Sequence, residues 1–579
     1  MKIEMASNET LIGHITQVEG ASLTAAINAG GEGAFPVVEL DGERIRVGQI
    51  GSYVAIHQDD VRVLGMVISA AREEANGSGD GGRLLTMIPL GTINDEGVFE
   101  RGVATFPSPG AEVHVVGEDE IRSLFARYYD KGFTVGYLPS RPTLEVSLEP
   151  AKFFGRHFAI LGQSGAGKSW TVASLIQRTV QVMPNAHVIL LDLHGEYCWK
   201  DNTGALQSAF DPNIYRYIDA RELEIPYWLL TYSELVDLLI DKEDKEASTQ
   251  IAFLRDVVHS LRKKENRHLD LPKISIDSPV YFSLVDLYRH FKHANEYTTD
   301  FGKKKGPLFG KFDSFLIKLQ SRFNDIRYDF LLKPKHRKSS ETLTDLLRDF
   351  VGLGEPRRQL TVIDLSSVPF DVRPTVSAQI GRLAFEFNYW NPHYREFPIL
   401  LVCEEAHSYI PRAGTGHTQY EATRRAMERI AKEGRKYGVA LGVVSQRPHE
   451  LSETVLAQCG NFLCLRITNP DDQEYVRDLV PDAERDLIDT LSALGRGECL
   501  ALGESIPVPT RFQVFRPSPT PNSEDTDFYS FWKGGPEDLD VDDIVARWRR
   551  QERQDRSAAK PVSAVEPADE PPARAESGL

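Results

Sequence analysis

The chain has 579 residues, 41% of them hydrophobic and 26% charged, a soluble globular balance with room for about three or four domains. With 67 basic and 84 acidic residues the net charge is −17, so any polyanionic partner needs a locally basic lining. No apolar run reaches the roughly 18–20 residues of a bilayer span, and the opening MKIEMASNETLIGHI lacks an apolar block behind a basic cluster, so no membrane segment, no signal peptide and a cytoplasmic location are expected.

Residues 1–150 read as a β domain. Strand-like runs recur at Leu11–Val18, Ala34–Leu40, Gly48–Ile56, Val61–Ile68, Leu84–Leu90, Val113–Val116 and Phe133–Leu138, separated by turn clusters such as NAGGEG, NGSGDGG and SPGAE. Short strands at this spacing favour a small β-barrel or sandwich. No catalytic constellation falls there, which suits an assembly domain.

At Arg156 the texture changes to strand–turn–helix units. His157–Leu161 and His187–Leu191 are short apolar strands, with a helix expected over Ser169–Gln181. Further buried strands are expected at Leu360–Leu365, Ile399–Cys403, Val439–Ser445, Phe462–Ile467 and Glu498–Leu502. Continuous apolar strands alternating with helices point to an α/β, RecA-like P-loop core with a mostly parallel sheet, spanning 151–211 and 359–517. Between its halves, 212–358 is charged and helical, with apolar residues at helical spacing (Phe253, Val257, Leu261; Phe312, Phe315, Leu316, Leu319), and reads as an inserted helical subdomain. From 518 to 579 the text is rich in Pro, Ala and acids, 14 acidic against 8 basic residues, and reads as a largely disordered tail with a short helix around Val541–Arg553.

The segment Gly162-Gln163-Ser164-Gly165-Ala166-Gly167-Lys168-Ser169, with Trp170 next in line, fits G-x-x-x-x-G-K-[ST] between an apolar strand and a helix. The glycines let backbone N–H groups curl around phosphate, and the helix N-terminus adds partial positive charge. Lys168 reaches the β- and γ-phosphates of ATP and the Ser169 hydroxyl ligates Mg2+. The strand Pro398–Cys403 runs into Glu404-Glu405-Ala406-His407; Glu404 is assigned to the magnesium shell and Glu405 to activation of the attacking water.

Two more polar strand ends follow. Asp192-Leu-His194-Gly-Glu196-Tyr197 lies where open α/β sheets bind ligands. Ser445-Gln446-Arg447-Pro448 offers Gln446 as a sensor of the γ-phosphate. The helix Ala422–Tyr437 carries Arg429 and Arg435, which with Arg156 are the candidates for an arginine finger acting on a neighbouring subunit's nucleotide. The five cysteines are scattered without a C-x-x-C pair, as expected of buried thiols.

Taken together, RHFAILGQSGAGKS, LLDLHGEY, LLVCEEAH, ERIAKEGRKYG and VVSQRP resemble the HerA branch of the HerA/FtsK superfamily over about Phe154–Phe515. One departure is Glu–Glu where Asp–Glu is common. EEAH also invites comparison with DEAH-box helicases, but no second motor lobe follows here. The resemblance implies a bacterial HerA-like DNA translocase or helicase: a homohexameric ring passing DNA through its central channel, working with a nuclease or other effector subunit in end processing or antiviral defence. It also implies that the N-terminal barrel serves assembly. The loop Tyr409–Tyr420 is then the place for a DNA-facing contact, with Arg412 the candidate. The alternative is an ATP-switched scaffold that assembles and gates an effector without processive translocation.

Overall fold

A computed structural model describes residues 10–550 apart from 20–21, 29–34, 41–42, 59–60, 73–82, 95–97, 202, 300–302, 371, 415–419 and 536–537. The middle of the Tyr409–Tyr420 loop, the NGSGDGG turn, much of NAGGEG and the last 29 positions of the tail, 551–579, therefore lie outside the described residues.

Six antiparallel strands close into an N-terminal barrel: Leu11–Glu19, Ser22–Ile27, Arg83–Ile93, Val61–Arg72, Tyr53–Gln58 and Glu112–Val115, the last returning to the first. Closure removes the unpaired edges that an open sheet of this size would expose. The pleat alternates side chains, so Leu23, Ala25 and Ile27 are buried while Ser22, Thr24 and Ala26 are only half-buried. Ser22–Ile27 carries a weak strand signal, since SLTAAI has few β-branched or aromatic residues. The helix Glu118–Tyr129, absent from the strand-like pattern of this region, starts with Glu120 accepting from the Gly117 N–H at 3.2 Å.

The large sheet has eleven strands. Seven are parallel, in the spatial order Tyr215–Asp219, Leu360–Asp364, Val188–Asp192, Ile399–Cys403, Val439–Ser445, Phe158–Leu161 and Asn461–Cys464. Central runs such as VILLD and ILLVC are buried at every position, as strands covered on both faces require. Four antiparallel strands extend the sheet beyond Asn461–Cys464: Glu498–Gly503, Thr510–Val514, Thr134–Leu138 and Arg141–Ser147. Thr134–Leu138, close in sequence to the barrel strands, thus pairs with residues near 513. Tyr215–Asp219, inside the stretch read as helical, forms the far edge of the sheet.

The inserted helices lie between that edge strand and Leu360–Asp364, among them Tyr232–Leu239, Ala247–Glu265, Leu284–Glu296 and Asp313–Asn324. Phe253, Phe291, Phe312 and Phe315 stack in one cluster, with ring centroids 3.8–4.9 Å apart. The barrel docks on the antiparallel strands through Tyr53, whose hydroxyl donates to the Pro509 carbonyl at 2.9 Å, and through Arg101, which donates to the Pro507 carbonyl at 3.0 Å. All five cysteines are buried and unbridged. No helix among the described residues is long and apolar enough to cross a membrane. Two short helices, Phe528–Gly534 and Val541–Arg550, precede the undescribed end.

Candidate nucleotide site

Parallel strands deliver their C-terminal ends to one edge of the sheet, so loops distant in sequence meet there. Leu161 leads into the glycine-rich loop. Gly165 and Gly167 have φ of +73° and +103°, a left-handed backbone that a Cβ would strain. At Gly167 a Cβ would also stand 3.0 Å from the Gly497 nitrogen. Lys168 then opens the helix Lys168–Val182.

Lys168 is only 8% exposed, and its ammonium donates to the Gln163 carbonyl of its own loop at 3.2 Å. Burial lowers its proton affinity, while the charges of Glu405, Glu404 and Glu196 hold it up. The Ser169 hydroxyl donates to the Glu196 carboxylate at 2.7 Å. Local sequence marks Glu196 only as part of a polar strand end; the structure puts it against the P-loop serine.

Asp192 shapes that strand end. Its carboxylate accepts from the backbone N–H groups of Gly195, Tyr197 and Glu196 at 2.7, 2.9 and 3.1 Å. Burial and the neighbouring Asp364 push its carboxyl up to about 7. The turn it holds presents Tyr197, which is fully buried and donates from its hydroxyl to Glu404 at 2.7 Å.

Glu404, 3% exposed, is held well above the ordinary carboxyl range by burial and by the charges of Glu196 and Asp192. Glu405 adopts φ +44°, a left-handed conformation uncommon for a side chain of this size and typical of functional turns. Its carboxyl is raised by burial, against the pull of Lys168. His407 Nδ1 lies 3.3 Å from Glu405 and 3.2 Å from the Ser445 hydroxyl. Gln446 follows Ser445 at the next strand end, half-buried, and Arg447 beside it pairs with Glu450 at 2.7 Å. One oxygen each of Glu404 and Glu405 is buried without a hydrogen-bond partner.

That donor set, a serine hydroxyl and crowded carboxylates with orphaned oxygens, fits a hard divalent cation. Among the described residues no three His, Cys, Asp or Glu side chains form a metal cage of their own. Magnesium does not need one, since it keeps waters and takes one or two carboxylates with phosphate oxygens.

The predicted arginines are placed differently from one another. Arg429 stacks on Phe385 at 4.3 Å and pairs with Glu433 at 3.6 Å. Arg156 pairs with Glu504 at 3.2 Å. Arg435 lies in the turn Gly434–Tyr437 after the helix Glu421–Glu433, exposed and without an ion-pair partner among the described residues. Arg412 is paired with Glu453 and lies 5.9 Å from the Tyr475 ring centroid. His157, at φ +54°, joins two of these regions. Its Nδ1 accepts from the Leu441 N–H at 2.9 Å, so its Nε2–H donates to the Ala431 carbonyl at 3.1 Å. That bond pins the arginine-bearing helix to the start of the P-loop strand.

Residues 133–384 match the family model described as Helicase HerA, central domain. A probable helicase of Methanocaldococcus jannaschii is 25% identical over 529 residues, covering 86% of this chain and 92% of the relative. The DNA double-strand break repair helicase HerA of Pyrococcus furiosus is 28% identical over 473 residues, covering 77% and 78%. Sequence similarity points to the HerA/FtsK superfamily of ATPases. Both relatives are archaeal, which widens the bacterial HerA-like reading to the superfamily as a whole. Similarity to HerA-type ATPases supports ATP-hydrolysing activity and, at family level, ATP and Mg2+ as its ligands. Among solved structures, VirB4 of Thermoanaerobacter pseudethanolicus is similar at 18% identity and a TM-score of 0.43, over 66% of this chain and 96% of that one.

Proposed function

We propose that the chain is an ATP-hydrolysing ring motor, a homohexamer that translocates on or unwinds DNA in the cytoplasm together with a nuclease or other effector subunit, in DNA end processing or antiviral defence. The observation that carries this reading is the meeting of Lys168, Ser169, Glu196, Glu404 and Glu405 at one sheet edge, in a chain similar to DNA double-strand break repair helicases.

In this reading the P-loop backbone from Gly162 to Ser169 cradles the phosphates and Lys168 leaves Gln163 for the γ-phosphate. Ser169 and Glu404 would hold the magnesium, which would neutralise phosphate charge there. Glu405 orients the attacking water and accepts its proton. Gln446 reads the γ-phosphate. Of the three arginine candidates Arg435 is the best placed to reach a neighbouring subunit, because Arg429 and Arg156 are already engaged within the chain. The modules are residues 1–150 for assembly, 151–211 with 359–517 for ATP hydrolysis, 212–358 as the helical insertion and 518–579 as the tail. Thr134–Leu138 and Arg141–Ser147, inside the first range, belong to the large sheet of the second.

The test is the ATPase rate of the purified protein with and without duplex DNA, alone and with the product of a neighbouring gene. Strong stimulation by DNA alone supports the motor. Stimulation only with the partner present favours the scaffold that gates an effector. A strictly monomeric protein with full activity overturns the ring.

A further inference from the structure

Lys168, Ser169 and the carboxylates serve the β- and γ-phosphates, and beyond the P-loop backbone the other end of the nucleotide has no side-chain partner among them. Trp170 follows Ser169 in the first turn of the P-loop helix, where a P-loop's backbone turns toward the α-phosphate. Two guanidinium groups lie over its indole, Arg496 at 4.6 Å and Arg516 at 5.0 Å from the ring centroid. Both arginines are exposed, and among the described residues neither has a carboxylate at ion-pair distance.

Their placement is built into the sheet. Arg496 precedes the strand Glu498–Gly503 and Arg516 follows the strand Thr510–Val514, so antiparallel pairing brings them to the same end. The Val514 N–H donates to the Gly497 carbonyl at 3.0 Å, and the Gly497 N–H donates to the Ala166 carbonyl within the P-loop at 2.9 Å. The pair is thereby bonded to the phosphate loop through the backbone. Two positive charges around one ring repel each other, and an exposed cation–π contact is a weak attraction. An anion between them removes the repulsion and takes charge-assisted hydrogen bonds from both.

We propose that Arg496 and Arg516, held in place by Trp170, form the subsite for the α-phosphate and nucleoside of the bound nucleoside triphosphate. The arginines bind; Trp170 is a positioning residue. This rests on the nucleotide-hydrolase reading above and adds to it the residues that distinguish a nucleotide from bare phosphates.

The test uses the full chain with Mg2+, ATP as substrate and inorganic pyrophosphate, which spans only the β and γ positions, as competing inhibitor. Arg496→Gln and Arg516→Gln are each expected to raise KM for ATP about tenfold, with kcat and inhibition by pyrophosphate unchanged. Trp170→Phe, which keeps a ring beneath the guanidiniums, retains the wild-type KM, and Trp170→Leu raises it. An unchanged KM in both arginine variants overturns the proposal. So does a parallel weakening of ATP and pyrophosphate, which places the damage in the P-loop itself. A wild-type protein that neither binds nor hydrolyses ATP overturns the nucleotide reading along with it.

Discussion

In the N-terminal barrel, antiparallel strands send successive chain ends to opposite rims, and inward side chains alternate with outward ones along strands such as Ser22–Ile27. In the large sheet, seven parallel strands all end at one edge, and the segments following them hold Lys168, Glu196, Glu404, Glu405 and Gln446. The barrel interior is apolar, with Leu23, Ile56, Val63, Leu85 and Val113 at or near zero exposure. The site edge instead buries carboxylates that raise one another's proton affinity. Burying charge costs stability unless a partner offsets it. The barrel thus gains stability from apolar burial, whereas the sheet edge carries buried charge that a cation such as the proposed Mg2+ would offset.

That contrast can be broken first at the site. Lys168→Ala is expected to abolish ATP turnover while leaving the barrel folded. Glu405→Gln should keep ATP binding and lose about 10²–10⁴-fold in hydrolysis, read by steady-state ATPase assays beside equilibrium nucleotide binding. Normal turnover in the Glu405 variant would remove Glu405 as the base. If Arg435 acts between subunits, mixing Arg435→Ala with Glu405→Gln protein restores part of the turnover at mixed interfaces.

In the barrel the opposite pattern is expected. Ile56→Ala empties part of a fully buried position and should cost about 2–5 kcal/mol in denaturant unfolding, with nucleotide affinity unchanged. At the sheet edge, Tyr197→Phe removes the hydrogen bond to the buried Glu404 and should cost about 1–3 kcal/mol in the nucleotide-free protein. The smallest effect is a pH dependence within the barrel. His57, stacked on His114 at 4.5 Å, has its imidazole lowered from 6.5 to about 4, chiefly by burial. Below pH 6.5 the unfolded chain binds the extra proton first, so this contribution to stability is lost as the pH falls from 6.5 toward 4. His57→Gln should flatten that part of the melting-temperature profile.

Much of the site was legible because its chemistry is written in contiguous motifs. The P-loop, the Glu404–Glu405 pair and the apolar strands before them stand out in the text, and the helix Lys168–Val182 lies within a residue of its expected limits. Glu196 was harder to assign, since nothing local says that it accepts from a serine 27 residues earlier. Arg496 and Arg516 carry no motif at all; an antiparallel pairing brings them to Trp170. Tyr215–Asp219 is not legible as a core strand because its edge position leaves it mostly half-buried, with tyrosine and arginine rather than a continuous apolar run. Local text likewise could not separate the arginine candidates. Only folding shows that Arg429 is stacked on Phe385 while Arg435 is left exposed.

The sequence alone determined the glycine-rich loop, the carboxylates that follow its partner strand, and the apolar runs that must be buried between layers. Those features are local, set by backbone freedom, helix polarity and the hydrophobic pattern of a few neighbouring residues. Tertiary structure decided strand order, the closure of the barrel, the pairing of Thr134–Leu138 with residues near 513, and which cations remain without partners. Those depend on contacts between residues hundreds of positions apart, where many pairings satisfy the same local pattern and only the packed whole selects one.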